Sequence, residues 1–87
     1  MKLIIAILKD DDTEPVVQAL TTQGFRATRV ASTGGFFHKG STTLLAGVED
    51  DQTDAAIAVM HKNATPAAPG EKRATIFVVP VERFEQL

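Results

Sequence analysis

The sequence predicts an α+β fold of β-α-β-β-α-β order. This is the ferredoxin-like arrangement, a four-stranded antiparallel sheet with two helices on one face. Three observations predict it. Short runs rich in isoleucine and valine open and close the chain, at Leu3–Leu8 and Ala74–Val79. Two aspartate-rich stretches are each followed by apolar residues at helical spacing. Between them, two alternating segments flank a glycine-rich loop. The 87 residues, 1–87, make one domain at most, since domains have a practical floor of about 50 residues and a mode of about 100–150.

Leu3–Leu8 (LIIAIL) is too short for a helix and rich in isoleucine, which favours a buried strand. In Asp10–Thr13 (DDDT), Asp12 or Thr13 can cap a helix, and the acidic run suits the positive end of its dipole. Pro15 fits a first turn, where its missing N–H costs little. Val16, Val17 and Leu20 lie at helical spacing, and Gly24 is free to adopt the left-handed stop. Phe25–Ser32 alternates and reads as the second strand. Thr33–Ser41 holds three glycines and is a loop, and Thr42–Glu49 is the return strand. A hairpin loop of that length exceeds the usual 2–5 residues, and long loops tend to carry function. Asp51, with Asp54 three residues later, repeats the capping pattern before a helix through Ala56, Ile57 and Met60 that ends near His61 and Lys62. Asn63–Arg73 contains Pro66, Pro69 and Gly70 and is a loop. Ala74–Val79 is the last strand, Pro80 stops it, and Glu82–Leu87 is a short tail carrying Phe84.

One consequence is physical. Leu3, Ile5 and Ile7 point one way and Ile4, Ala6 and Leu8 the other, so the first strand is apolar on both faces. The last strand repeats this with Ile76 and Val78 against Phe77 and Val79. Two helices cover only one face of such a sheet, and a solvated face should alternate in polar residues. The expected cover is another copy of the chain.

Composition narrows the function. Nine Lys/Arg against eleven Asp/Glu give a net charge of −2, whereas a general nucleic-acid binder is normally basic. There is no cysteine, so neither a disulfide nor a thiolate metal site is available. No apolar run approaches the roughly 20 residues of a membrane span. These features predict a soluble cytoplasmic protein with no nucleic-acid or membrane partner. His38 and His61 have no metal-ligand spacing, and the paired aspartates precede helices, where capping accounts for them. No catalytic or metal-ligating set emerges.

The central stretch holds the chemistry. Between Glu14 and Glu49 there is no acidic residue, while Arg26, Arg29, His38 and Lys39 fall there. A local positive patch of this size suits a small anion better than a long polyanion. Gly34 and Gly35 can converge backbone N–H groups on an anion, or can simply form a turn. Phe36 and Phe37 lie side by side in the same loop. Such rings beside cations suit stacking on a nucleobase. Alternatively, one plugs the hairpin while the other packs at a subunit interface.

Several stretches resemble the PII-like cyclic di-AMP receptor family: Met1–Ile7 (MKLIIAI), Gly24–Thr28 (GFRAT), Ala31–Phe36 (ASTGGF), Thr42–Asp50 (TTLLAGVED) and Ala74–Val81 (ATIFVVPV). The match runs in order along nearly the whole chain. The resemblance implies a single PII-like domain that forms a homotrimer. It also implies a non-catalytic signalling role, with cyclic di-AMP bound in clefts between neighbouring subunits and no other cofactor. It implies ligand contacts from Arg26, Thr28, Gly35, Phe36, Phe37 and Gly47, and from Phe77 and Gln86 near the C-terminus. Arg26 would neutralise phosphate charge, Thr28 would hydrogen-bond the ligand, Phe36 and Phe37 would line the adenine region, and Gly47 would admit a base close to the backbone. Ser41 stands where the family usually has an asparagine that reads adenine, and serine cannot make the amide's paired hydrogen bonds. Phe37 and His38 replace the more usual leucine and arginine, and the 63–73 connector is much shorter than the family's.

Three readings follow. In the first, the trimer binds cyclic di-AMP or a related nucleotide and relays it, through ordering of the 33–41 or 63–73 loop, to an unidentified protein target. In the second, the trimer has lost cyclic di-AMP and recognises a different nucleotide or small anion. In the third, the same topology supports an acylphosphatase-type enzyme. That activity calls for a phosphate loop with an arginine, and Arg26 and Arg29 fall in a strand instead.

Overall fold

The computed structural model describes residues 1–30, 40–65 and 74–87. The elements run β1 (Lys2–Lys9), α1 (Asp10–Thr22), β2 (Thr28–Val30), β3 (Ser41–Val48), a single 3-10 turn (Asp50–Gln52), α2 (Thr53–Asn63) and β4 (Ala74–Pro80). The sheet order is β2-β3-β1-β4, and every neighbouring pair is antiparallel. This is the ferredoxin-like α+β fold expected from the sequence.

β1 takes a central place between β3 and β4, paired along both edges. Ile4 sits opposite both Ala46 and Val78, and Ile5 opposite both Leu45 and Phe77. Side chains alternate across a strand, so the register sorts the sheet into two faces. Ile4, Ala6 and Leu8 join Leu44, Ala46 and Val48 on the helix side. They are buried there with Val16 and Leu20 of α1 and Ala56 and Met60 of α2. Each of the larger side chains contributes about 1.5–3 kcal/mol by leaving water. The other face carries Leu3, Ile5, Ile7, Leu45, Phe77 and Val79, and by register Thr28, Val30, Thr43 and Gly47. Both helices pack on the first face, and Phe77, Val79 and Val30 stand exposed on the second.

The helix starts differ from the sequence expectation. α1 begins at Asp10 directly after the strand, with Lys9 as its N-cap and no side-chain cap bond. Asp12 and Thr13 are therefore inside the helix and buried. The Asp12 carboxylate accepts from the Thr65 hydroxyl, and the Thr13 hydroxyl donates to the Lys9 carbonyl at 3.2 Å. Asp10 is fixed by its surroundings instead. Its N–H donates to the Gly40 carbonyl at 2.8 Å, and its carboxylate accepts from the Thr42 hydroxyl. The acidic first turn stands, but Pro15 falls in the second turn rather than the first. Before α2, the cap is not Asp51. Glu49 precedes the 3-10 turn, and its N–H donates to Gln52 Oε1 at 3.3 Å.

α1 ends as expected. Gly24 has φ +87°, its N–H donates to the Thr21 carbonyl, and the Phe25 N–H reaches back to Leu20 at 2.9 Å. These paired bonds make a Schellman stop. β2 starts only at Thr28, later than the expected Phe25, and Ser41 belongs to β3 rather than to the loop. Among the described residues no helix is long and apolar enough to cross a membrane.

Candidate functional site

The second sheet face ends in a cavity of about 330 Å³ lined by Met1, Arg26, Thr28, Leu45, Gly47, Phe84 and Gln86. Four of these, Arg26, Thr28, Gly47 and Gln86, are ligand positions implied by the family resemblance. They come from three parts of the chain. Arg26 and Thr28 lie at the entry to β2, where the register pairs Thr28 with Leu45. Gly47 lies in β3 opposite Leu3. Gln86 comes from the tail after β4.

The floor is open for a reason that can be checked. A Cβ added at Gly47 would meet only the Met1 Cε, at 3.9 Å, an ordinary van der Waals contact, and Gly47 has no positive φ. Nothing within the described chain requires glycine there. A strand glycine costs about 0.5–1 kcal/mol relative to alanine. Its effect is to leave bare backbone on the cavity wall.

The N-terminus and the tail close the site. The Met1 ammonium lies 2.9 Å from Asp50 Oδ1. Hydrogen bonding from that ammonium holds the Asp50 carboxyl below the usual carboxylate range. The Met1 carbonyl accepts the Val81 N–H at 3.1 Å. That bond turns the chain after β4 back across the end of the sheet and brings Phe84 and Gln86 to the cavity.

The charge distribution is narrower than the sequence suggests. Strand alternation sends Arg29 to the helix side, where its Nη2 donates to Glu14 Oε2 at 2.7 Å. That bond, with help from Gln18, holds the Glu14 carboxyl below its ordinary range. Arg26, two residues before Thr28, is exposed and lines the cavity. It is the charged side chain that the described residues place on the cavity wall. His38 and Lys39 lie outside the described residues.

The remaining expected positions divide. Gly35, Phe36 and Phe37 lie outside the described residues. Phe77 lies on the same open face, 52% exposed. It is separated from Leu45 by Ile5 of β1, about 10 Å away at ordinary strand spacing. Ser41 shares a face with Leu45 and Gly47 but sits six residues up β3, about 20 Å from Gly47. Neither lines the cavity. Sequence reasoning missed Met1, Leu45 and Phe84. Only Leu45 left a signal, by alternating with Gly47 on β3.

A larger hollow, about 400 Å³, lies between α1 and α2, with Ala19, Ala58, Val59 and Lys62 among its walls. It gathers none of the expected ligand positions, whereas the smaller one joins a guanidinium, a hydroxyl, an amide, a ring and bare backbone. That set fits a planar group carrying an anion. Among the described residues no group of three or more His, Asp or Glu could hold a metal ion.

Comparison with known proteins points the same way. A family model described as cyclic-di-AMP receptor matches residues 1–68. β4 and the tail, with Phe77 and Gln86, fall beyond that match. The crystal structure of a functionally unknown protein from Pediococcus pentosaceus is similar at 31% identity and a TM-score of 0.79. The similarity covers 99% of this chain and 96% of that one.

Proposed function

The chain belongs to the cyclic-di-AMP receptor family, and from that premise we propose that it is a non-catalytic, single-domain signalling protein that binds cyclic di-AMP between the subunits of a homotrimer. The observation that carries this reading is the cavity where Arg26, Thr28, Gly47 and Gln86 meet, at the end of an apolar sheet face that neither helix covers. A second copy on that face buries Leu3, Ile5, Ile7 and Val79 and turns the cavity into a cleft. Arg26 neutralises phosphate charge, the Thr28 hydroxyl and the Gln86 amide hydrogen-bond the ligand, and a base lies against the Gly47 backbone. Phe77 borders the cleft from the covered face. The resemblance adds contacts from Gly35, Phe36 and Phe37 of the 33–41 segment. That segment or the 63–73 segment relays the signal, by no more than the ligand's preference for one loop state.

A second reading rests on Ser41. It stands where the resemblance implies an asparagine that reads adenine, and a serine hydroxyl cannot make the amide's paired hydrogen bonds. This favours a trimer that recognises a different nucleotide or a small anion.

Thermal shift against cyclic di-AMP, adenine mononucleotides and inorganic phosphate separates the two. A ligand at about 100 times its Kd adds about 2.7 kcal/mol. At about 4–8 °C per kcal/mol, that is a shift of about 10–20 °C. The first reading expects cyclic di-AMP to give it, and a panel without any shift overturns both. Light scattering should give three times the 9.3 kDa chain mass. A stable monomer at micromolar concentration removes the cleft.

A further inference from the structure

We propose that Phe84 is a base-stacking residue of the ligand site, a role that rests on the nucleotide-receptor reading above. The ring lies in the tail beyond β4, is 63% exposed, and takes no part in the buried core. It lines the same cavity as Arg26, Thr28, Gly47 and Gln86.

Two local features hold it there. The Val81 N–H bonded to the Met1 carbonyl fixes where the tail starts. Beyond it, Arg83 and Glu85 pair with each other. Phe84 and Gln86, the residues alternating with them, both line the cavity. An extended segment sends alternate side chains to opposite sides, so the charged pair and the cavity pair separate by simple alternation.

The chemistry follows from the neighbours. An exposed aromatic face beside a guanidinium suits a base joined to a phosphate, with the ring on the base and the cation on the anion. Gly47 supplies the second requirement, a wall without a side chain where a flat ring can lie. The ligand class is therefore a nucleotide whose base stacks on Phe84.

The test is titration calorimetry with cyclic di-AMP on the wild-type protein and on Phe84→Ala, Phe84→Leu and Phe84→Trp, with melting and light scattering of each ligand-free protein. Loss of one stacking contact should weaken Phe84→Ala by about 5- to 150-fold. Phe84→Trp should bind at least as well as wild type, and Phe84→Leu should lose most of the affinity. Melting temperature and mass should stay at wild-type values, because the ring is outside the core. If wild type binds and Phe84→Ala binds equally well, the proposal fails while the receptor reading stands. Wild-type affinity in Phe84→Leu reduces the ring to an apolar filler and also overturns stacking. A change of mass in Phe84→Ala assigns the ring to subunit packing instead. A wild type without affinity for cyclic di-AMP overturns the receptor reading and this role together.

Discussion

Gly47→Val separates a ligand-facing glycine from a structural one. The strand geometry at Gly47 suits any residue, and an added Cβ would touch only the flexible end of Met1, at 3.9 Å. Removing a strand glycine regains about 0.5–1 kcal/mol, and valine is a favoured strand residue. The ligand-free protein should therefore melt no lower than wild type, and up to about 4–8 °C higher. Binding should change in the opposite sense. The isopropyl group projects into a cavity of about 330 Å³ and occupies the space that a base needs against the backbone. Overpacking of this kind costs about 1–3 kcal/mol, a loss of about 5- to 150-fold in affinity. Titration calorimetry with cyclic di-AMP reads the affinity, scanning calorimetry the stability, and light scattering the assembly. Gly47→Ala, with a single methyl, should fall between wild type and valine. Unchanged affinity in Gly47→Val refutes the close approach of the ligand. Earlier melting refutes the open environment described for Gly47.

Arg26→Ala should weaken binding, with a loss that shrinks between 0.1 M and 1 M salt as the screening length falls from about 10 Å to about 3 Å. A loss independent of salt would show that the guanidinium acts through shape alone. Gly24→Ala places a side chain at φ +87° and should destabilise by about 1–2 kcal/mol, seen as melting several degrees lower, with the same affinity at a temperature where both proteins are folded. Unaltered melting would contradict the Schellman stop. Asp50 and Glu14 both have carboxyls held below their ordinary range, by the Met1 ammonium and Arg29 respectively. A lowered folded pKa gives stability that is complete above the unfolded value and lost as pH falls through the folded one. Melting temperature should hold from pH 7 to about 5 and decline below about 4, and Glu14→Gln combined with Asp50→Asn should flatten that decline. A steeper decline in the double variant would show that these pairs are not its source.

Much of this architecture was legible because strand alternation is a strong code. The two apolar faces of Leu3–Leu8 announced a sheet face that the two helices leave uncovered, and that face is present. Helix starts were less legible. Asp12 and Thr13 were read as caps, but an acidic run serves equally well inside the first turn. What fixes the start is Asp10 reaching Gly40 and Thr42 from across the fold. Arg29 was grouped with Arg26 because both fall in a stretch without acids, but alternation turns it to Glu14, which lies on α1 and was outside that stretch. Within the site, Arg26, Thr28 and Gly47 sit on or beside paired strands and were accessible from sequence through the family resemblance. Met1 and Phe84 were not. They meet the cavity only because the β1–β4 pairing and one backbone bond, Val81 to Met1, bring distant parts of the chain together.

That bond has a practical corollary for anyone purifying the protein. Met1 and Gln86 both line the cavity, so an affinity tag fused before Met1 or after Leu87 is not remote from it. An N-terminal fusion converts the Met1 ammonium into a neutral amide and abolishes its pairing with Asp50. A fusion after Leu87 leaves a single residue between itself and Gln86. Affinities measured on tagged protein therefore describe an altered cavity rim, and cleaved, scarless material is the proper reference for every titration above.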